Sequence, residues 1–271
     1  MGGKTPQFFR QRIGGFRRSN RPGARRHRLH PAPGCRPARL AADRIDLAAC
    51  FRLRFEVFNL ELDEGLESAY KTGYDIDEFD SICDHLVVEH VESGRIIGTY
   101  RLQTGRVAKN NFGYYSNREF DLTPYEPLRD RLVEVGRACI HRNHRSIQVL
   151  YLLWRGIAQY AQQCRARYLI GCSSLTSQNP AEGMAVYRVL QEFRAEEKLR
   201  TVPRASFEIS SVERNGASEK VPKLLRTYLA IGAKVCGPPA IDKEFKTIDF
   251  LTLLDLQTLH PRMKARFLYP A

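Results

Sequence analysis

No run of eighteen apolar residues occurs in this chain of 271, so the sequence offers no membrane-spanning helix. The best candidate, "IDFLTLLDL", is interrupted by Asp255. No internal repeat is visible. The seven cysteines, at positions 35, 50, 83, 139, 164, 172 and 236, form no CxxC pair and lie mostly inside apolar runs. They read as small buried residues of a reducing cytosol, so a cytoplasmic protein is expected. The first 42 residues contain eleven Lys and Arg and no acid at all. The formal net charge of +13 therefore belongs to that stretch, since the rest carries 32 basic against 30 acidic residues. A nearly neutral folded part argues against nucleic acid as its partner.

The basic stretch also lacks the apolar middle of a secretory signal. It is Arg-rich and acid-free like an organellar transit peptide, but poor in amphipathic period. Its Pro and Gly content, as in "RPGARRHRLHPAPGCRPARL", is that of a disordered tail over residues 1–40. Such an arm is able to touch anionic lipid or an acidic protein.

What remains, residues 41–271, is 231 residues long and belongs to a chain with 43% hydrophobic residues and fourteen phenylalanines, enough for one large domain. From Ala41 to Asp63 the pattern is helical, with Leu47, Phe51, Phe55, Phe58 and Leu62 on one stripe. Arg54 shares that stripe, where a lone arginine reads as a snorkelling side chain or part of a site. An acid-rich segment follows, with turn signals at Gly65 and Gly73. "HLVVEHV" and "RIIGTYRLQT" predict two strands joined by the turn "ESGR". After a long connection (103–131), a strand is predicted over 132–140, then the buried helix "SIQVLYLLWRGIAQYAQQC" and the strand "RYLIGCSS". Next come a helix opened by Pro180, a strand near 205–212, a helix over 222–231 and a strand over 246–255. This order predicts an α/β domain whose mixed sheet carries helices on its faces.

The candidate chemistry centres on "LVEVGRACIHRNHRS", residues 132 to 146. Glu134 sits in an apolar strand and shares a face with Gly136 and Ala138, which leave room for a substrate. A partly buried carboxylate has a raised pKa and serves as a general base; an exposed edge-strand glutamate is the alternative. Asp77 and Asp80 lie in the acid-rich run, with Arg101 as their natural partner, or else in a solvated loop. Cys139, His141 and His144 lack a second ligand cluster, so no metal is expected, and Cys139 reads as packing. The loop "HRNHRS" runs into a helix start flanked by Arg142 and Arg145, a combination that favours phosphate.

Taken in order, Arg54-x-x-x-Phe58, Asp77-x-x-Asp80, Arg101 and Glu134-x-x-Arg137 resemble the acyl-homoserine-lactone synthases, GNAT-fold enzymes that acylate an amine. "GTYRLQT", "EVGRACIHRNHRS", "LLWRGIAQY" and "YLAIGAKVCGPPAIDKEFKTIDFLTLLDL" are more similar to a sister group, the ornithine–acyl-carrier-protein N-acyltransferases. The resemblance covers about residues 45–268 and leaves the tail outside. It implies a GNAT-like fold with a mixed, mostly antiparallel sheet and helices on both faces. It implies transfer of a long-chain, 3-hydroxylated acyl group from acyl carrier protein to the α-amine of L-ornithine, the first step of ornithine lipid synthesis. Within the fold the alternative is another amine acceptor, as in long-chain N-acyl amino acid or acyl-homoserine-lactone synthases. Outside it, the alternative is a membrane- or nucleic-acid-binding protein driven by the tail.

By the same resemblance Glu134 and Arg101 are catalytic, and Arg54, Phe58, Asp77, Asp80 and Arg137 bind the acceptor. Arg142, His144, Arg145 and Ser146 would take the phosphopantetheine of the donor, the only prosthetic group the reaction implies. One departure matters: the usual glycine-bearing phosphate loop stands here as "RNHRSI", without glycine. That suits a donor delivered by a carrier protein rather than free coenzyme A. The acid-rich segment from Glu61 to Asp80 is expected to suit a doubly cationic acceptor.

Overall fold

The computed structural model describes residues 34–209 and 220–268. The chain opens with β1 (Arg39–Leu40) and α1 (Arg44–Phe55), which runs on as a π-helical turn over Glu56–Glu61. Asp43 starts α1 by accepting the backbone N–H groups of Ile45 and Asp46, both at 2.9 Å. The short α2 (Ala69–Thr72) leads to the hairpin of β2 (Asp84–Glu89) and β3 (Ile96–Thr104). A connection containing α3 (Gly105–Lys109) and 3-10 turns reaches β4 (Leu132–Ile140). Then come α4 (Ile147–Gln163), capped by Ser146, β5 (Tyr168–Leu175) and α5 (Pro180–Val189). The chain continues through α6 (Lys223–Ala230), β6 (Lys234–Val235), β7 (Ala240–Asp242), β8 (Thr247–Asp255) and α7 (Pro261–Phe267).

The strands form one sheet in the order β1-β2-β3-β4-β5-β8-β6, with β7 also on β8. Among the strands named here, only β4 and β5 form a parallel ladder. Helices cover both faces, and β2 shows why. Leu86 and Val88 point into the core under α4, with Leu153 and Ile157, while Val87 points the other way, onto Cys50 and Phe51 of α1. Among the described residues no helix is long and apolar enough to cross a membrane, and all seven cysteines are free.

Two expectations need correction. The stretch predicted as a disordered tail reaches the sheet at Cys35 and at residues 39–40. Cys35 bridges to His90, β1 pairs with β2, and Arg36 and Arg39 are held by Glu89 and Asp46. The rest of the predicted tail lies outside the described residues. No strand forms over 205–209, where Ala205–Phe207 is a 3-10 turn and Glu208 makes one isolated bridge to Ala240. The 3-10 turn confines the contact of this segment with β7 to that one bridge. The remainder of that predicted strand lies outside the described residues.

The feature that positions the site is a parting of strands. β4 and β5 pair only from Leu132↔Tyr168 to Glu134↔Ile170, although both continue for at least five residues more. Gly171 sits at the fork. A Cβ there would lie 2.1 Å from the carbonyl oxygen of Val135, a backbone atom that cannot swing aside. Gly171→Ala should therefore force the fork open and lower stability by about 1–3 kcal/mol. Urea unfolding checks this, and an unchanged midpoint would show that the strand pair gives way freely.

Candidate active site

Where β4 and β5 part, a cleft of about 1190 Å³, its open mouth included, enters the molecule. Behind it lies an apolar pocket of about 650 Å³, its open mouth included, between α4, α6, α7 and the sheet. Tyr100, Val135, Gly171, Tyr228 and Thr252 line both, and the hydroxyls of Tyr100 and Tyr228 are hydrogen-bonded at the partition. One space is thus lined by charged residues, and the other almost wholly by apolar ones.

Glu134 stands in the cleft wall, 5% exposed. Its two carboxylate oxygens accept the backbone N–H groups of Tyr115 and Ser116, each at 2.7 Å. Burial pushes its pKa up, against the lowering effect of those hydrogen bonds and of Arg101. The edge-strand reading is thereby excluded. The same carboxylate also pins the long connection between β3 and β4 to the sheet.

Two residues beyond, the ladder between β3 and β4 slips. Thr99 faces Cys139 and Arg101 faces Gly136, so Arg137 and Ala138 together oppose Tyr100. Arg137 takes a left-handed backbone, φ 48°, as the extra residue of this bulge. Its guanidinium lies 4.3 Å from the ring centre of Phe245 and 4.7 Å from that of Tyr115. Nothing lies within 4 Å of a Cβ built on Gly136, which leaves the strand bare toward the cleft.

The five charged residues Arg54, Asp77, Asp80, Arg101 and Arg137 come together, joined by Asp75. Arg54 donates to Asp75 at 2.6 Å and, through two nitrogens, to Asp80 at 2.7 and 3.0 Å. Arg101 donates to Asp77 at 2.6 Å and Asp80 at 3.0 Å, and Arg137 donates to Asp77 at 2.9 Å. Three guanidinium groups balance three carboxylates in a nearly water-free setting, with no side chain more than 7% exposed. Arg54 is fully buried, so the snorkelling reading is corrected: its charge is paired, not led out to water. Although burial opposes it, the charges of Arg54 and Arg101 hold Asp80 far below the usual carboxylate range, and Arg101 and Arg137 hold Asp77 below it. Burial pushes His85, beside Asp80, down to about 4, so it is neutral at physiological pH.

Of this set only Arg101 and Arg137 line the cleft, together with Phe58 and Glu134. Arg54, Asp77 and Asp80 stand behind the wall and hold those two arginines in place. Within the acid-rich segment, Asp75, Asp77 and Asp80 are already neutralised from within, while Glu64 lines the cleft. The loop residues sit elsewhere. Arg142 and His144 lie in a 3-10 turn, Ser146 caps α4, and Arg145 is bound to Glu61 at 2.6 and 2.9 Å. None of the four lines the cleft. Cys139 is buried against Phe58 and Leu53, as packing.

Sequence reasoning missed the opposite wall, where Glu64, Asp242 and Asp249 line the cleft and Glu119 lies beside them. Burial raises Glu64 to about 7 and pushes Asp249 up; burial with the charges of Asp249 and Asp242 drives Glu119 well up. The signal was present: Asp249 interrupts an apolar strand just as Glu134 does.

The mixed sheet parted between β4 and β5 is accompanied by a match of residues 53–155 to the acetyltransferase (GNAT) domain family, and the fold is of that class. The L-ornithine N(alpha)-acyltransferase of Brucella abortus is 30% identical over 247 residues, 84% of this chain and 87% of that one. That of Rhodobacter capsulatus is 30% identical over 240 residues, 84% and 93% of the two chains. Among solved structures, the AHL synthase LasI gives a TM-score of 0.48 at 12% identity, over 86% of this chain and 93% of that one. FeeM, an N-acyl amino acid synthase from uncultured soil microbes, gives 0.49 at 11%, over 82% and 91%. The chain belongs to the L-ornithine N(alpha)-acyltransferase family.

The buried network makes two measurable demands. Arg54→Leu should cost about 3–5 kcal/mol, because it leaves buried carboxylates unmatched. In a double-mutant cycle with Asp80→Asn the losses should fall short of their sum; strict additivity would deny the contact. The pH dependence has two limbs. The depressed Asp77 and Asp80 stabilise above the ordinary aspartate range, and that contribution disappears as pH falls through their folded values. Glu64, Glu119 and Asp249 are raised, so their contribution is complete below the ordinary carboxylate range and is lost as pH rises through theirs. Stability should peak between about pH 4 and 7. Urea titrations across that range test it, and a steady rise up to pH 8 would contradict it.

Proposed function

We propose that the protein moves a long-chain, 3-hydroxylated acyl group from acyl carrier protein to the α-amine of L-ornithine, the first step of ornithine lipid synthesis. The observation that carries this reading is the joined pair of spaces at the fork. An apolar cavity fit for an acyl chain opens into a charged cleft that contains a buried carboxylate with a raised pKa. The names of the related proteins support ornithine as the acceptor.

In this reading the thioester carbonyl rests near Val135 and Gly171, with the chain directed past Tyr100 and Tyr228. Arg101 and Arg137 face the carboxylate of the acceptor, and Phe58 closes the side of the cleft. Arg54, Asp77 and Asp80 act on the acceptor through those arginines. Glu134 takes a proton from the α-amine, whose nitrogen attacks the carbonyl carbon. The oxyanion is stabilised by backbone N–H groups at the Arg137 bulge. As the C–N bond forms and the C–S bond breaks, the proton passes from Glu134 to the leaving sulfur. The chemistry needs no metal and no resident cofactor, because the phosphopantetheine arrives with the donor. The basic stretch before residue 34 supports peripheral contact with an anionic membrane, into which an acylated product would partition.

The direct test is to incubate the purified protein with 3-hydroxyacyl-acyl carrier protein and L-ornithine and to identify the product by mass spectrometry. Acylation at the α-nitrogen is expected; no product with ornithine, but one with another amine, would move the acceptor elsewhere. Glu134→Gln should lower kcat by roughly 10²–10⁴-fold and abolish the fall of kcat on the acid side. A normal pH profile in that variant would remove Glu134 from the proton path.

The donor side rests on the start of α4. Acyl carrier proteins are acidic, and Arg142, His144, Arg145 and Ser146 form the surface before that helix. Since Arg145 is already bound to Glu61, the exposed Arg142 is the better probe. Arg142→Glu should raise KM for the carrier-bound donor more than it changes kcat, and wild-type KM should rise with salt. Equal use of acyl-coenzyme A, without salt dependence, would sink the carrier-protein donor.

A further inference from the structure

The wall of the apolar pocket holds four side chains able to hydrogen-bond: Tyr100, Trp154, Tyr228 and Thr252. Thr252 is engaged, since its hydroxyl donates to the carbonyl oxygen of Gly171 at 2.9 Å. Trp154 offers an N–H and nothing to accept with. Tyr100 and Tyr228 are hydrogen-bonded to each other. Burial pushes both phenols up, so each hydroxyl keeps its proton. One hydrogen bond joins the two hydroxyls, and it uses one of the two protons. The other proton is left over, and no group among the described residues accepts it. An O–H proton without an acceptor in an apolar wall is costly, and it suits a ligand that brings an oxygen.

The place of that oxygen follows from the fold. Tyr100 lies in β3 on the same face as its β2 partner Leu86, toward α4. Tyr228 comes from α6, its ring 5.7 Å from that of Trp154. Both tyrosines line the charged cleft as well as the pocket, as Val135 and Gly171 do at the fork. Leu259 and Phe267 line the pocket alone. The hydroxyl pair therefore stands at the carbonyl end of a bound acyl chain, away from the part that would receive its tip.

We propose that the Tyr100–Tyr228 pair gives its spare proton to an oxygen on the third carbon of the acyl chain, and so selects 3-hydroxyacyl donors over plain ones of the same length. This rests on the acyl-transfer reading above, and it names the residues that would read the donor. An oxygen on the third carbon lies two carbons past the carbonyl, still beside the partition. An oxygen further along would be left among apolar side chains such as Ile157 and Leu259. A plain chain leaves the proton unmatched, so the pair discriminates through the cost of an unpaired donor as well as through the bond it makes.

The test measures kcat/KM with L-ornithine for 3-hydroxytetradecanoyl- and tetradecanoyl-acyl carrier protein, in the wild type and in Tyr100→Phe/Tyr228→Phe. Both tyrosines are replaced because either one alone would still have a proton to give. Removing both partners also keeps both rings and leaves no hydroxyl unmatched, so the urea midpoint should stay near that of the wild type. The wild type should favour the hydroxylated donor, and the variant should lose about 10-fold of that preference. A wild type that does not distinguish the two donors overturns the proposal without any variant. So does an unchanged ratio in the folded variant, including one in which both rates fall together, since that would place the pair at the thioester carbonyl. A binding arm displaces a fluorescent fatty acid with free 3-hydroxytetradecanoic or tetradecanoic acid, without carrier protein or amine. Tighter binding of the hydroxy acid that the variant loses, in a protein that acylates no amine, would uphold the oxygen site and reject the acyl-transfer reading.

Discussion

The rest of the site depends on a cluster of six charges shut away from water. A buried ion pair is a poor source of stability, because desolvation cancels most of its attraction. Its value here is geometric. Arg54 ties α1 to the acidic segment, Arg101 brings β3 to the same aspartates, and Arg137 brings the bulge of β4. No one of these side chains can move without leaving a partner unmatched, so the backbone around the fork is fixed. Glu134 extends the arrangement, since its two oxygens hold the connection that carries Tyr115, and Tyr115 lies under Arg101 and Arg137.

The fold was largely legible because its signals are local. The period of α4, the alternation of β2 and β3, and the helix start at Pro180 each come from a few adjacent residues. The elements that escaped are those made by partners distant in the chain. β1 is two residues long and exists because β2 offers it an edge, and β6 and β7 exist because β8 does. Residues 205–209 have strand composition, but the 3-10 turn at Ala205–Phe207 limits them to one bridge on β7.

The site was legible in membership more than in placement. Glu134 gave itself away as an acid in an apolar strand, and Arg54 as a charge on an apolar stripe. The partners of Arg54 lie 21 and 26 residues away, and no spacing rule reaches that far. The face of Arg137 could not be read from alternation, because a one-residue bulge reverses the phase of the strand. Asp249 carried the same signal as Glu134, but it stands near the C-terminus, where nothing local links it to the rest of the cleft.

The strand order has a consequence for a chain emerging from the ribosome. All six charges of the cluster lie between residues 54 and 137, so that cluster can close while the second half is still being made. β5 must wait for β8, whose partners lie some eighty residues further on, as Ile170↔Leu253 shows. In that interval β5 has β4 on one side and an open edge on the other, and an open edge invites pairing with a neighbouring chain. Completion of the sheet is therefore the late event of synthesis, and the cleft wall that carries Asp249 arrives with it.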